Sequence, residues 1–192
     1  MEPRIRPLTA SDMPEVRRLY LDGFSDSTYY AAVEPDESKR TEMFDIEVMP
    51  QALCCVRSGA SYCCEADGSL CAMMLITEIT KECANVFDEM FFGFYRRIND
   101  KETLAGRKAL LDAVEKHGRA AYFFSAAVDK RYRRRHIGIR LIKHCLDLFQ
   151  GMYIFTELTT PEMLSLFKAA AKERKLVQNK ISDHYVITAV EP

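Results

Sequence analysis

Apolar residues recur along this chain in two rhythms, and each rhythm predicts a kind of element. Residues 3–8 read as a short extended segment. Ser11-Asp12 then offers an N-cap, and Met13, Val16, Leu19 and Tyr20 follow at helical spacing. Residues 23–36 show no period and are expected to be irregular. The helical rhythm returns over 37–56, with Met43, Phe44, Ile46, Val48 and Leu53 for a buried face. Pro50 should kink or divide that helix. Two β-compatible runs, 61–66 and 69–79, flank Asp67-Gly68, a dipeptide suited to a two-residue hairpin turn.

Residues 84–98 and 102–116 read as two helices, the second ended by Gly118. Residues 120–128 (AAYFFSAAV) are apolar without alternation, the pattern of a central strand buried on both faces. A helix over 136–150, a strand over 152–156 and a helix over 161–175 follow, with Pro161 in the last helix's first turn. Two strands, 175–180 and 185–190, close the chain. This order combines a hairpin with βαβ crossovers, so the fold class is α/β with one mixed, twisted sheet. No repeat, linker or composition shift divides residues 1–192, which are expected to form one domain.

Composition narrows the function. The chain has 192 residues, and Lys+Arg of 27 against Asp+Glu of 28 gives a net charge of −1. That balance argues against bulk nucleic-acid binding, although the run Arg133-Arg134-Arg135 leaves a nucleic-acid adaptor as a minor reading. No apolar run reaches the ~20 residues of a membrane span, and no secretory h-region follows the N-terminal charges. The seven cysteines include two adjacent pairs and sit in apolar runs. They are expected to be reduced and mostly buried, in a cytoplasmic protein, with no metal site. His117, His144 and His184 have no metal-ligand spacing.

The chemistry concentrates where the 120–128 strand passes through a basic turn into a helix. A helix start offers unpaired N–H groups and partial positive charge, the arginines add to it, and Gly138 lets backbone approach a ligand. Val128, Arg133 and Gly138 in this strand–turn–helix resemble the acetyl-CoA motif of the GCN5-related N-acetyltransferase (GNAT) superfamily. The element order resembles that fold over nearly the whole chain. Lys130 stands at the motif's proline. His136 stands at its first glycine, where a Cβ could crowd a phosphate while the N–H still donates if φ is negative.

The resemblance implies direct acetyl transfer from acetyl-CoA to an amine acceptor, with the cofactor between two splayed strands, 120–128 and 152–156. It places the pantetheine arm on Ala126, Ala127 and Val128, and the pyrophosphate on Arg133, Arg134, Arg135, His136, Ile137, Gly138 and Ile139. Arg131, Arg140 and Lys143 are candidates for the 3′-phosphate. Phe167 stands where relatives carry a tyrosine acid, and is expected in the core; Ser165 is a weak substitute. Residues 119–128 contain no carboxylate, so Glu157, at the end of the second cleft strand, is the candidate base. A surface salt bridge is the competing reading of Glu157. Glu78, Asp88 and Glu89 are candidates for an amine pocket, and residues 26–36 for the acceptor side. Cys145 and most of the Phe91–Tyr95 cluster are expected in the core. An acyl-CoA-binding protein without turnover is the alternative function. A homodimer is the default assembly.

Overall fold

Asp67 and Gly68 both adopt positive φ (53° and 75°) and join β2 (Tyr62–Ala66) to β3 (Ser69–Thr80) in the expected hairpin. The computed structural model describes residues 3–24 and 27–192. Around the hairpin lie β1 (Arg4–Pro7), β4 (Arg119–Val128), β5 (Tyr153–Leu158), β6 (Leu176–Ser182) and β7 (Tyr185–Val190). They form a seven-stranded sheet in the order β1-β2-β3-β4-β5-β7-β6. Only β4 and β5 pair in parallel; the other neighbours are antiparallel.

Both faces of the central strands are covered, which is why their sequence does not alternate with polar residues. Met73, Leu75, Ala120 and Tyr122 pack toward α1 (Met13–Phe24), α5 (Ala84–Ile98) and α6 (Lys101–His117). Met74, Ile76, Ala121 and Phe123 pack toward α7 (Ile137–Leu148) and α8 (Pro161–Ala170). Gly118 (φ 82°) caps α6, and Thr160 Oγ1 accepts from Met163 N at 3.2 Å to cap α8.

Three expectations are corrected. Within residues 27–36, a short helix α2 (Thr28–Val33) replaces irregular chain, because Ser27 caps it through Tyr30 N. Residues 25 and 26 lie outside the described residues. The 37–56 helix is divided, as Pro50 predicts, into α3 (Glu37–Met43), a π-helical turn (Phe44–Val48) and α4 (Met49–Arg57), whose first turn holds Pro50. The 161–175 helix stops at Ala170, and β5 runs on to Leu158, so Glu157 lies inside the strand rather than at its end. The seven cysteines are free, five of them buried; Cys145 is fully buried. Among the described residues no cluster could hold a metal, and no helix is long and apolar enough to cross a membrane.

Candidate active site

The site begins where the sheet parts. β4 and β5 pair from Ala120–Tyr153 to Phe123–Thr156, and there the ladder ends. Thr156 Oγ1 donates to Phe123 O at 2.9 Å and ties the apex. Across β4, Leu75 faces Ser125 and Ile76 faces Phe123, so Phe124 is the extra residue of a bulge. The bulge bends β4 away from β5. From there to Val128 the β5 side of β4 has no strand partner, and on that side Val128 O accepts from Arg133 Nε instead.

A groove of about 600 Å³ follows this open edge. Ala126, Ala127, Val128, Arg133, Arg134, His136, Ile137, Gly138 and Ile139 all line it, so the structure brings these candidates together. Arg135 does not line it; its guanidinium lies 5.4 Å from the Tyr132 ring centroid, an outward cation–π contact. Arg131, Arg140 and Lys143 do not line it either. Arg131 is held by Asp129, donating from Nε at 3.1 Å and Nη2 at 2.8 Å.

Asp129 anchors the turn, and sequence reading passed over it. Its carboxylate is buried, accepts from Arg131 N at 2.9 Å and pairs with Arg18 at 2.9 Å. The Arg131 guanidinium and these further donors hold its pKa far below the ordinary value. The signal was local: an Asp that opens a turn caps the N–H two residues on. Arg133 Nε closes the same turn on Val128 O at 3.2 Å. Arg134 and His136 then take positive φ (61° and 59°). The condition set for His136 N–H to donate, a negative φ, is therefore not met. The chain turns through a glycine-like conformation without glycine, a strain of roughly 1–2 kcal/mol per residue. The His136 side chain is exposed, which keeps its bulk out of the fold. At Gly138 an added Cβ would meet Leu166 Cδ2 at 3.0 Å and Val128 Cγ2 at 3.2 Å, so this position is small because the groove floor is narrow.

A second, smaller cavity, about 70 Å³, adjoins the groove and shares Phe24, Ala126 and Met163 with it. Six tyrosines line it: Tyr20, Tyr29, Tyr30, Tyr95, Tyr122 and Tyr185. Tyr29 and Tyr30 come from α2, so the described part of the 26–36 stretch does build this wall; Asp26 lies outside the described residues. Phe91 and Phe92 join the wall from the buried face of α5.

Glu157 is the carboxylate of this cavity. Oε2 accepts from Tyr122 Oη and Oε1 from Tyr185 Oη, each at 2.5 Å. The surface salt bridge is excluded by this arrangement. Burial pushes the Glu157 carboxyl up to about 7, against the pull of the two hydroxyl donors, with a smaller push from Asp100. Burial likewise raises Tyr122 and Tyr185 well above the ordinary tyrosine value, so both remain donors. The two tyrosines carried no sequence signal as partners, since they lie on different strands and 63 residues apart in number (185 − 122).

Gly106 on α6 makes the space. A Cβ there would fall 1.9 Å from Glu157 Oε1 and 3.0 Å from Tyr185 Oη. Alanine normally stabilises a helix interior by about 0.8 kcal/mol over glycine. Here Gly106→Ala is expected to destabilise, by about 1–3 kcal/mol through overpacking. Urea unfolding checks this; a stabilised variant would mean that the carboxylate does not need that space.

The remaining candidates lie elsewhere. Asp88 binds Arg107 and Arg96, Glu89 binds Arg96, and Glu78 pairs with Arg119 at 3.5 Å; none lines the cavity. Phe167 is 1% exposed and packs in the core at the cavity's end, as expected, and Ser165 is exposed. His117 stacks on Tyr153, and His144 meets Tyr62 edge-on.

This splayed mixed sheet is the fold of the N-acetyltransferases. The chain is similar over 99% of its length, and 99% of theirs, to a mosquito arylalkylamine N-acetyltransferase-like protein, at 14% identity and TM-score 0.68. It is similar to a Drosophila melanogaster polyamine N-acetyltransferase that forms N-acetylagmatine (12% identity, TM-score 0.60, 98% of each chain). It also matches a Thermoplasma acidophilum PaiA N-acetyltransferase solved in complex with coenzyme A (11% identity, TM-score 0.62, 100% of each chain). No protein-family model and no curated sequence matches the chain.

Proposed function

We propose that this chain is an N-acetyltransferase of the GNAT type that moves the acetyl group of acetyl-CoA directly onto a primary amine. One observation carries the reading: the groove and the cavity holding Glu157 meet at the point where β4 and β5 part. The residues suit the donor. The β4 edge from Ala126 to Val128, which has no strand partner on the β5 side, matches the amides of a pantetheine arm. Arg133, Arg134 and the start of α7 match a pyrophosphate, and Gly138 leaves the approach clear. Acetyl-CoA supplies the acetyl group as a thioester.

Glu157 then takes a proton from the ammonium of the acceptor, through Tyr122 or Tyr185 or directly. The freed amine nitrogen attacks the thioester carbon, and a β4 N–H near the bulge stabilises the oxyanion. The N–C bond forms, the C–S bond breaks, and the proton left on nitrogen goes to the departing thiolate. No tyrosine stands at Phe167 to supply it, so water mediates that transfer. The N-acetyltransferases of similar fold, which act on agmatine and arylalkylamines by name, support the reaction class.

Phe167 favours a second reading, an acyl-CoA-binding protein without turnover. Titration calorimetry with acetyl-CoA, paired with thiol release over an amine panel, separates the two. Micromolar binding, about −8 kcal/mol, with thiol release is expected. Binding without release from any amine would leave the binding protein. Absence of binding would overturn both.

A further inference from the structure

The cavity wall restricts the acceptor further. Among the described residues Glu157 is the one charged side chain lining it, and aromatic rings form most of the remaining wall. No arginine, lysine or histidine among the described residues lines it. We propose that the acceptor is a compact monoamine: one ammonium on an apolar body, with no carboxylate and no second cation, held by Glu157 and Ser125. This rests on the transferase reading above and names its substrate class.

Three physical arguments carry it. First, a single half-buried carboxylate compensates a single cation. An amino acid would bring its own carboxylate into the cavity with no cation to meet it, and a buried unpaired charge is strongly disfavoured. Second, a short diamine would place its second ammonium against phenol and phenyl rings. Cation–π contact returns only about 0.5–2 kcal/mol, less than the desolvation of an ion. An apolar body instead gains from the same rings. Third, Ser125 Oγ is buried in the cavity wall, and its one neighbour among the described residues, the Tyr20 hydroxyl, lies beyond close hydrogen-bond geometry. A buried hydroxyl without a partner costs about 1–3 kcal/mol. A ligand N–H repays that cost, and Ser125 sits beside the Phe124 bulge, where the two cavities join.

The test is calorimetry in the presence of CoA with three probes: 2-phenylethylamine, phenylalanine, which adds a carboxylate, and 1,4-diaminobutane, which adds a cation. Phenylethylamine is expected to bind at least about tenfold more tightly than either. Equal or tighter binding of phenylalanine or diaminobutane overturns the proposal. Ser125→Ala and Glu157→Gln are each expected to weaken phenylethylamine binding. The serine change removes a hydroxyl that makes no close hydrogen bond in the free protein, so its fold should persist. Unchanged affinity in both variants also overturns the proposal. Thiol release from acetyl-CoA is measured separately. Selective phenylethylamine binding without release sinks the transferase reading and keeps the cavity assignment. Release driven by diaminobutane or phenylalanine in preference does the reverse.

Discussion

Glu157→Gln will slow acetyl transfer by about 100- to 10,000-fold, the usual range for loss of a general base. Affinity for acetyl-CoA should stay within about twofold, because Glu157 lines the cavity and not the groove. The wild-type rate should rise with pH through about 7, as this carboxylate ionises, and then level off. The glutamine variant should lack that limb. Stability supplies an independent check with an unusual sign. The Glu157 carboxyl stands at about 7 in the folded protein against an ordinary 4.5, so the native state holds the proton more tightly than the unfolded chain. Its stabilising contribution is complete below pH ~4.5 and is lost as pH rises through ~7, by up to about 3 kcal/mol. Most structural carboxylates behave in the opposite way. The wild-type minus variant difference in urea unfolding should therefore fall between pH 5 and pH 8. At pH 8 the variant should be the more stable protein and the slower enzyme. A pH limb that persists in the variant would remove Glu157 as the base.

Gly138→Glu will weaken acetyl-CoA binding by at least about 100-fold. Its side chain would enter the groove between Val128 and Leu166, bringing a negative charge beside Arg133, Arg134 and the α7 start. Repulsion of a pyrophosphate is the main cost. A glutamate in the first turn of a helix is itself favourable toward the dipole, so the thermal midpoint should fall little for electrostatic reasons. Gly138→Ala separates size from charge. Its Cβ presses on the mobile end of Leu166 and should cost only a small part of the affinity. Calorimetry on both variants gives the answer. Unchanged affinity in the glutamate variant would place the cofactor elsewhere.

Much of this architecture was legible because local and global signals agreed. Asp67-Gly68, the apolar 120–128 run and Pro161 each specified an element that formed, and the motif residues converged on one groove. The misreadings have physical causes. Pro50 marked the division of 37–56, but the π-helical turn before it keeps helical periodicity and left no signal of its own. Residues 27–36 hid α2 because its face is built from tyrosines, which read equally as loop or strand residues. Arg135 looked equivalent to Arg133 and Arg134, but successive residues in a turn point in different directions. The Glu157 environment could not be read at all. Its partners come from β4, β7 and α6, and only the register of three separate elements brings Tyr122, Tyr185 and Gly106 together.

The parted ladder also has a mechanical meaning. The sheet consists of a four-strand half, β1 to β4, and a three-strand half, β5 to β7, sewn together by only four residue pairs. A ligand bonded along β4 and seated beside β5 would lengthen that seam. Loading the groove should therefore tighten the molecule as a whole, protecting the amides of residues 124–128 from exchange. It should also raise the melting temperature in step with ligand concentration.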